Sequence, residues 1–146
     1  MYFSPAGGAE ASIVSELQKA REQILLQAYA FTSAAIARAL IDAKQRGVEV
    51  VAILDKSNES AKYSAAKFLA NHDIPVYTDW RPTIAHSKIL LIDGKTIITS
   101  SFNFTRAAEL SNTENLLVIK KNPSLMVKYR KNFDQRLKES RKRGSF

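Results

Sequence analysis

No cysteine occurs anywhere in the 146 residues, so neither a disulfide frame nor a thiolate metal site is available to this chain. That absence suits a cytoplasmic or an oxidising compartment equally. No apolar run approaches the roughly 20 residues that a membrane-spanning helix needs. Carboxylates are few, 14 against 22 Lys plus Arg. They are also dispersed, with no His-Glu-x-x-His, no Asp-x-Asp and no other grouping at metal-ligand spacing. A Gly-rich phosphate loop is missing too, because Gly7-Gly8 lacks the surrounding pattern. Any chemistry on phosphate must then rely on side chains rather than on a resident cation or cofactor. What remains is a surplus of positive charge, +8 with a pI near 9.8. Such a balance favours a polyanionic partner, nucleic acid first and an anionic membrane surface second.

The chain is long enough for one domain with a real core. Apolar spacing predicts a helix over Ala9–Glu22, and Ile24–Phe31 reads as a strand buried on both faces. Ser33 is placed to cap a helix over Ala34–Arg46, which Gly47 stops. A strand over Val48–Leu54, a helix over Glu59–Asn71 and a strand over Ile74–Tyr77 follow. Then come a hairpin around Asp93-Gly94, a helical turn near Arg106–Leu110, a strand over Glu114–Lys120 and a last helix over Pro123–Lys138, with Pro123 suited to its first turn. The order implies an α/β fold, a mixed and mostly parallel sheet flanked by helices on both faces. Residues 1–139 read as a single domain, and residues 140–146 as a basic tail.

The chemistry-bearing residues gather around the hairpin. With a two-residue turn, Ile92 pairs with Lys95, Lys88 lies opposite Thr99 and His86 opposite Ser101. Alternation along the strands then brings His86, Lys88, Ser101 and Asn103 out on one face near the open end. An imidazole, an ammonium, a hydroxyl and an amide in one place suit an anionic phosphoester. Ser101 and Asn103 either donate to phosphate oxygens or satisfy backbone groups where the hairpin ends. Phe102 and Phe104 have the opposite parity and read as core. Asp93, in the turn, reads as a structural residue. Glu114 either accepts a proton from the far nitrogen of His86 or is an ordinary strand-end carboxylate. His72, in a helix-to-strand turn, reads as structural or merely exposed. Trp80 serves either base stacking or packing.

The run His86-x-Lys88-x4-Asp93, with Ser100-Ser101-Phe102-Asn103 and then Glu114 downstream, resembles the signature of the phospholipase D superfamily. Ser100 stands where that signature has Gly. The short length, single motif and basic charge look most like the small bacterial endonucleases of the superfamily. The resemblance implies that His86 is the nucleophile and forms a phosphohistidine, that Lys88 and Asn103 bind phosphate oxygens with Ser101 in support, and that Glu114 orients His86. It places Asp93 outside the reaction centre. One motif per chain supplies one histidine, whereas double displacement wants a nucleophile and a separate general acid. A two-fold homodimer with a composite site would supply both.

The expected function is therefore metal-independent cleavage of DNA, and of RNA as a further substrate, with little sequence preference. Lys56, Arg81, Lys95, Arg106 and Arg141-Lys142-Arg143 are candidates to track the backbone. Two alternatives use the same chain differently: a phospholipid hydrolase or transferase of the same superfamily, and an inert basic module that binds nucleic acid without cutting it. The abrupt opening Met1-Tyr2-Phe3-Ser4-Pro5 is what removal of a presequence would leave, which would put the protein in the periplasm or outside the cell; otherwise it is cytoplasmic.

Overall fold

The computed structural model describes residues 1–143. In chain order the elements are β1 (Tyr2–Ser4), α1 (Ala9–Gln18), β2 (Gln23–Ala28), α2 (Ala34–Gln45), β3 (Glu49–Asp55), α3 (Ala66–Asn71) and β4 (Val76–Asp79). There follow β5 (Ile89–Ile92), β6 (Thr96–Ser100), α4 (Arg106–Leu110), β7 (Glu114–Lys120), α5 (Pro123–Glu139) and β8 (Arg141–Lys142). The strands make one eight-stranded sheet in the order β1-β7-β6-β5-β2-β3-β4-β8.

Both faces of the sheet are covered, as the continuous apolar strands require. Leu26, Leu54, Leu90 and Ile98 point into the larger core, with Ile13 and Leu17 of α1, Ile36 and Leu40 of α2, and Leu69 of α3. Leu25, Ile53, Leu91 and Ile97 point the other way, beneath Met126 and Phe133 of α5. The mixed sheet with helices on both sides is as expected, but its parallel share is smaller. Among the described residues only β2–β3 and β3–β4 pair in parallel; the other five pairings are antiparallel. The βαβαβ unit supplies the parallel part, and the hairpin with its flanking strands supplies the rest.

Several boundaries move for identifiable reasons. The first helix stops at Gln18 instead of Glu22, because Arg46 takes the carbonyls of Leu17 and Ala20 while Asp93 takes the N–H groups of residues 21–23. The helix expected over Glu59–Asn71 is a 3-10 turn at Lys56–Glu59 and a helix only from Ala66. Asn58 holds the intervening chain: its side chain donates to the carbonyls of Tyr29 and Asp55 and accepts from Ser64. Ser33 caps α2 through Ile36 N–H, and Gly47 ends it at φ 91°. Pro123 opens α5 behind the Asn122 cap.

The expected basic tail is in part a strand. Arg141 and Lys142 pair antiparallel with Thr78 and Tyr77 of β4, giving that edge a neighbour. The rest of the tail, beyond residue 143, lies outside the described residues.

Candidate active site

The hairpin register differs from the expected one by a single residue. Lys95 N–H bonds the Ile92 carbonyl at 3.0 Å, but the ladder resumes at Ile92↔Thr96 and runs to Ile89↔Thr99. Lys88 is thus level with Ser100, not Thr99, and Lys95 is an extra residue in the turn. The apolar pattern decides this: the observed register sets Leu90 against Ile98 and Leu91 against Ile97, whereas the expected one sets Leu91 against Thr96. Since β5 begins at Ile89 and β6 ends at Ser100, His86 and Ser101 lie beyond the paired strands. Loops bring the site together, where strand alternation was expected to.

His86 sits on the exposed rim, at the end of the loop from β4 to β5. Lys88 is only 5% exposed, and its ammonium folds back onto His86. Nζ donates to the His86 carbonyl at 2.7 Å and lies 2.8 Å from Nδ1 and 3.1 Å from Nε2. Desolvation pushes the Lys88 pKa below its ordinary value, and the Glu114 carboxylate pulls it partly back up. Tyr29, just past the end of β2, packs its ring against the imidazole with centroids 4.7 Å apart.

Two buried polar residues at the end of β3 hold this arrangement from behind. Asp55 accepts from Ala85 N–H at 2.7 Å, the residue before His86, and from Ser57 N–H at 2.9 Å. Burial pushes the Asp55 carboxyl up, but these N–H bonds and Lys56 outweigh it and hold it below its ordinary value. Asn58 fastens the carbonyl of Tyr29. Sequence reading overlooked Asp55, Asn58 and Tyr29; a strand ending in Asp followed by Lys-Ser-Asn was the available signal for a capped turn.

The structure places the other expected residues as follows. Ser101 Oγ donates to Glu114 Oε2 and accepts from Asn115 N–H at 3.0 Å, so its hydroxyl is engaged within the protein. Glu114 serves Ser101 and, at 3.5 Å, the Asn112 amide; it makes no hydrogen bond to His86 within the chain. The expected direct Glu114–His86 bond is replaced by an electrostatic link through Lys88, because β7 lies across β6 from the histidine loop. Asn103 has no side-chain partner among the described residues, and its Oδ1 is buried. It reaches the same rim through its neighbour: Phe104 N–H bonds the carbonyl of Ala30, next to Tyr29. Phe102 and Phe104 are fully buried, as expected.

Asp93 is far from this chemistry, at the closed end of the hairpin with φ 55°. Its carboxylate accepts from Arg21, Glu22 and Gln23 N–H at 3.0, 2.8 and 2.9 Å. Burial pushes this carboxyl up, but the three backbone donors and Lys95 prevail and lower its pKa. His72 Nδ1 lies 2.8 Å from the Phe68 carbonyl and its ring packs on Phe68. Lys56, Arg81 and Arg141 gather near the loop leading to His86: Lys56 donates to Pro82, and both arginines approach the Trp80 ring. Lys95 sits at the opposite end of the hairpin and does not join them. Among the described residues no three potential metal ligands converge.

An exposed imidazole backed by a buried ammonium, at the rim of a sheet, can present a nucleophile and a positive charge to an anion. Comparison with known proteins gives the family. A family model described as the phospholipase D-like domain of cardiolipin synthase matches residues 13–137. The phospholipase D of Rickettsia typhi is 45% identical over 117 residues, covering 80% of this chain and 57% of that protein. Mitochondrial cardiolipin hydrolase of Xenopus laevis is 31% identical over 124 residues, covering 84% and 58%. Among solved structures, Nuc, a phospholipase D family member from Salmonella typhimurium, superposes with a TM-score of 0.94 at 36% identity, covering 99% of this chain and 96% of that one. The chain belongs to the phospholipase D superfamily. It spans somewhat less than three-fifths of the length of these curated relatives.

Proposed function

We propose that this protein is a metal-independent phosphodiesterase that cleaves DNA, and RNA as well, through a phosphohistidine at His86. The observation that carries the reading is the Lys88 ammonium held against the His86 ring, where it can meet the oxygens of an approaching phosphate. A ring nitrogen of His86 attacks phosphorus, the bond to the leaving oxygen breaks, and that oxygen takes a proton from a general acid. Water then attacks the phosphohistidine, frees the nitrogen and returns a proton to the acid. Lys88 and the free amide of Asn103 offset charge on the non-bridging oxygens. Glu114, held by Ser101, acts on Lys88 rather than on the substrate.

The general acid is assigned to His86 of a second copy, in a two-fold dimer with a composite site. Two observations support this. His86 is exposed on the rim, and beside Glu114 the β1–β7 edge leaves Phe3 59% and Leu117 40% exposed. Nucleic acid is favoured as substrate by the net charge of +8 and by the basic residues around Trp80. The match with Nuc, at 36% identity, supports a catalytic unit built around one copy of the motif. Phospholipid is the second reading, favoured by the names of the curated relatives. No helix of the described residues is long and apolar enough to cross a membrane.

Nicking of plasmid DNA in excess EDTA by wild type and by His86→Ala tests the proposal, with anionic lipid vesicles as the parallel substrate. Nicking is expected with wild type only, together with an acid-labile phosphoryl adduct on His86. Activity that survives His86→Ala or vanishes with chelator refutes the mechanism. Turnover of vesicles alone selects the lipid reading.

A further inference from the structure

On the side of His86 away from Glu114, the ends of β2, β3 and β4 and the loop of residues 80–88 enclose a cleft of about 180 Å³. It opens beside the imidazole and serves no role assigned so far. Ile53, Pro82 and Ile84 give it apolar walls, and Gln27, Asp79 and Arg136 line it with polar groups. Gln27 stands out among these. It belongs to an interior strand and is only 6% exposed, and its Oε1 is buried with no hydrogen-bond partner among the described residues. A buried amide oxygen left unpaired is costly, and native proteins keep such groups where something outside the fold completes them.

We propose that this cleft is a nucleobase subsite: it receives the base next to the scissile phosphate, and Gln27 hydrogen-bonds that base's edge. The inference rests on the nuclease reading above. The charge of the cleft supports a neutral ligand. Arg136 forms a two-pronged pair with Asp79, at 2.7 and 2.8 Å, and its remaining nitrogen meets Glu139 at 3.0 Å. These charges are spent on one another, so the cleft offers neither a free carboxylate for a cationic headgroup nor a free guanidinium for a second phosphate. Apolar walls with a lone amide on the floor suit a flat heterocycle, apolar on its faces and polar at its edge. A side-chain amide that can turn over also explains tolerance. Rotated one way it donates to the base and rotated the other way it accepts, so every base finds a partner. The subsite adds affinity for a base without choosing among bases.

The test uses oligonucleotides with one cleavable phosphodiester, flanked either by normal nucleotides or by an abasic residue. For each protein the readout is the ratio of kcat/KM on the normal step to kcat/KM on the abasic step. Wild type should favour the normal step by about tenfold, in keeping with one buried hydrogen-bonding group left unpaired without the base. Gln27→Leu keeps the volume and loses the amide, and its ratio should fall to about two. Because Gln27 lies in the core of the sheet, Ile84→Ser provides a second arm: Ile84 is half exposed, so the fold should survive and the same ratio should fall. A wild-type ratio near one, or ratios unchanged in both variants, overturns the subsite while leaving the nuclease intact. Wild type that cuts neither oligonucleotide, yet turns over lipid vesicles, overturns the nuclease reading itself, and the subsite falls with it.

Discussion

Asp93→Asn should separate holding the fold from doing the chemistry within a single motif. In the wild-type chain one carboxylate oxygen accepts from Glu22 and Gln23 N–H and the other from Arg21 N–H. Asparagine can keep the first pair through its carbonyl, but its amide then turns a donor toward the Arg21 donor. One hydrogen bond to a charged acceptor is lost and two are demoted to neutral strength. Allowing for the partial exposure of the site, the cost is about 2–4 kcal/mol. For a domain of this length that lowers Tm by roughly 5–12 °C, which circular dichroism will read directly. The effect should depend on pH in one direction. The folded pKa of Asp93 lies below its ordinary value of 3.8, so its stabilisation is complete above that pH and is lost as pH falls through the lowered value. The Tm gap between wild type and variant should therefore hold from pH 7 to about pH 5 and close below about pH 3.8. At 25 °C the variant should keep nearly full kcat on a p-nitrophenyl phosphodiester, because the turn is at the far end of the hairpin from His86. A large loss of kcat with Tm unchanged would refute the reasoning.

Lys88→Met should abolish turnover yet raise stability at neutral pH by about 1 kcal/mol, since it removes a buried, desolvated ammonium. Because the folded Lys88 pKa lies below its ordinary value of 10.5, wild type regains stability as pH rises through that window, and the gap measured by denaturant melts should narrow toward pH 10.5. Arg136→Met leaves the Asp79 carboxylate buried without its guanidinium; a loss of about 2–4 kcal/mol is expected in urea unfolding, and a neutral result would contradict the pair as described. Tyr29→Leu should lower kcat several-fold with KM little changed, while Tyr29→Phe, which keeps the ring on His86, should restore it. Equal losses in the two would show that the phenol, not ring packing, matters.

How far the sequence could be read differs from place to place for definite reasons. Apolar runs at Ile24–Ala28 and Val50–Leu54 could only be buried strands, and Ser33, Gly47 and Pro123 mark helix ends by rules confined to a few neighbouring residues. Phe102 and Phe104 were legible as core for the same reason. The site motif was legible because its spacing is fixed, so His86 and Lys88 meet as expected even though the hairpin register is one residue off. That register was settled by which apolar side chains share a face across β5 and β6, and a turn dipeptide alone does not carry that information.

Local sequence determined the strands, the caps, the positive charge and the presence of an imidazole with a lysine two residues on. Tertiary packing alone decided what surrounds that imidazole. Gln27 and Tyr29 at the end of β2, Asp55 at the end of β3 and Glu114 at the start of β7 come from three different strand ends, up to 87 positions apart in the chain from Gln27 to Glu114. Nothing in their local neighbourhoods records that the sheet order β7-β6-β5-β2-β3 brings those ends to one rim. Strand order is set by the burial of two core faces at once, a sum over the whole chain, and so the company His86 keeps became visible only once the sheet was assembled.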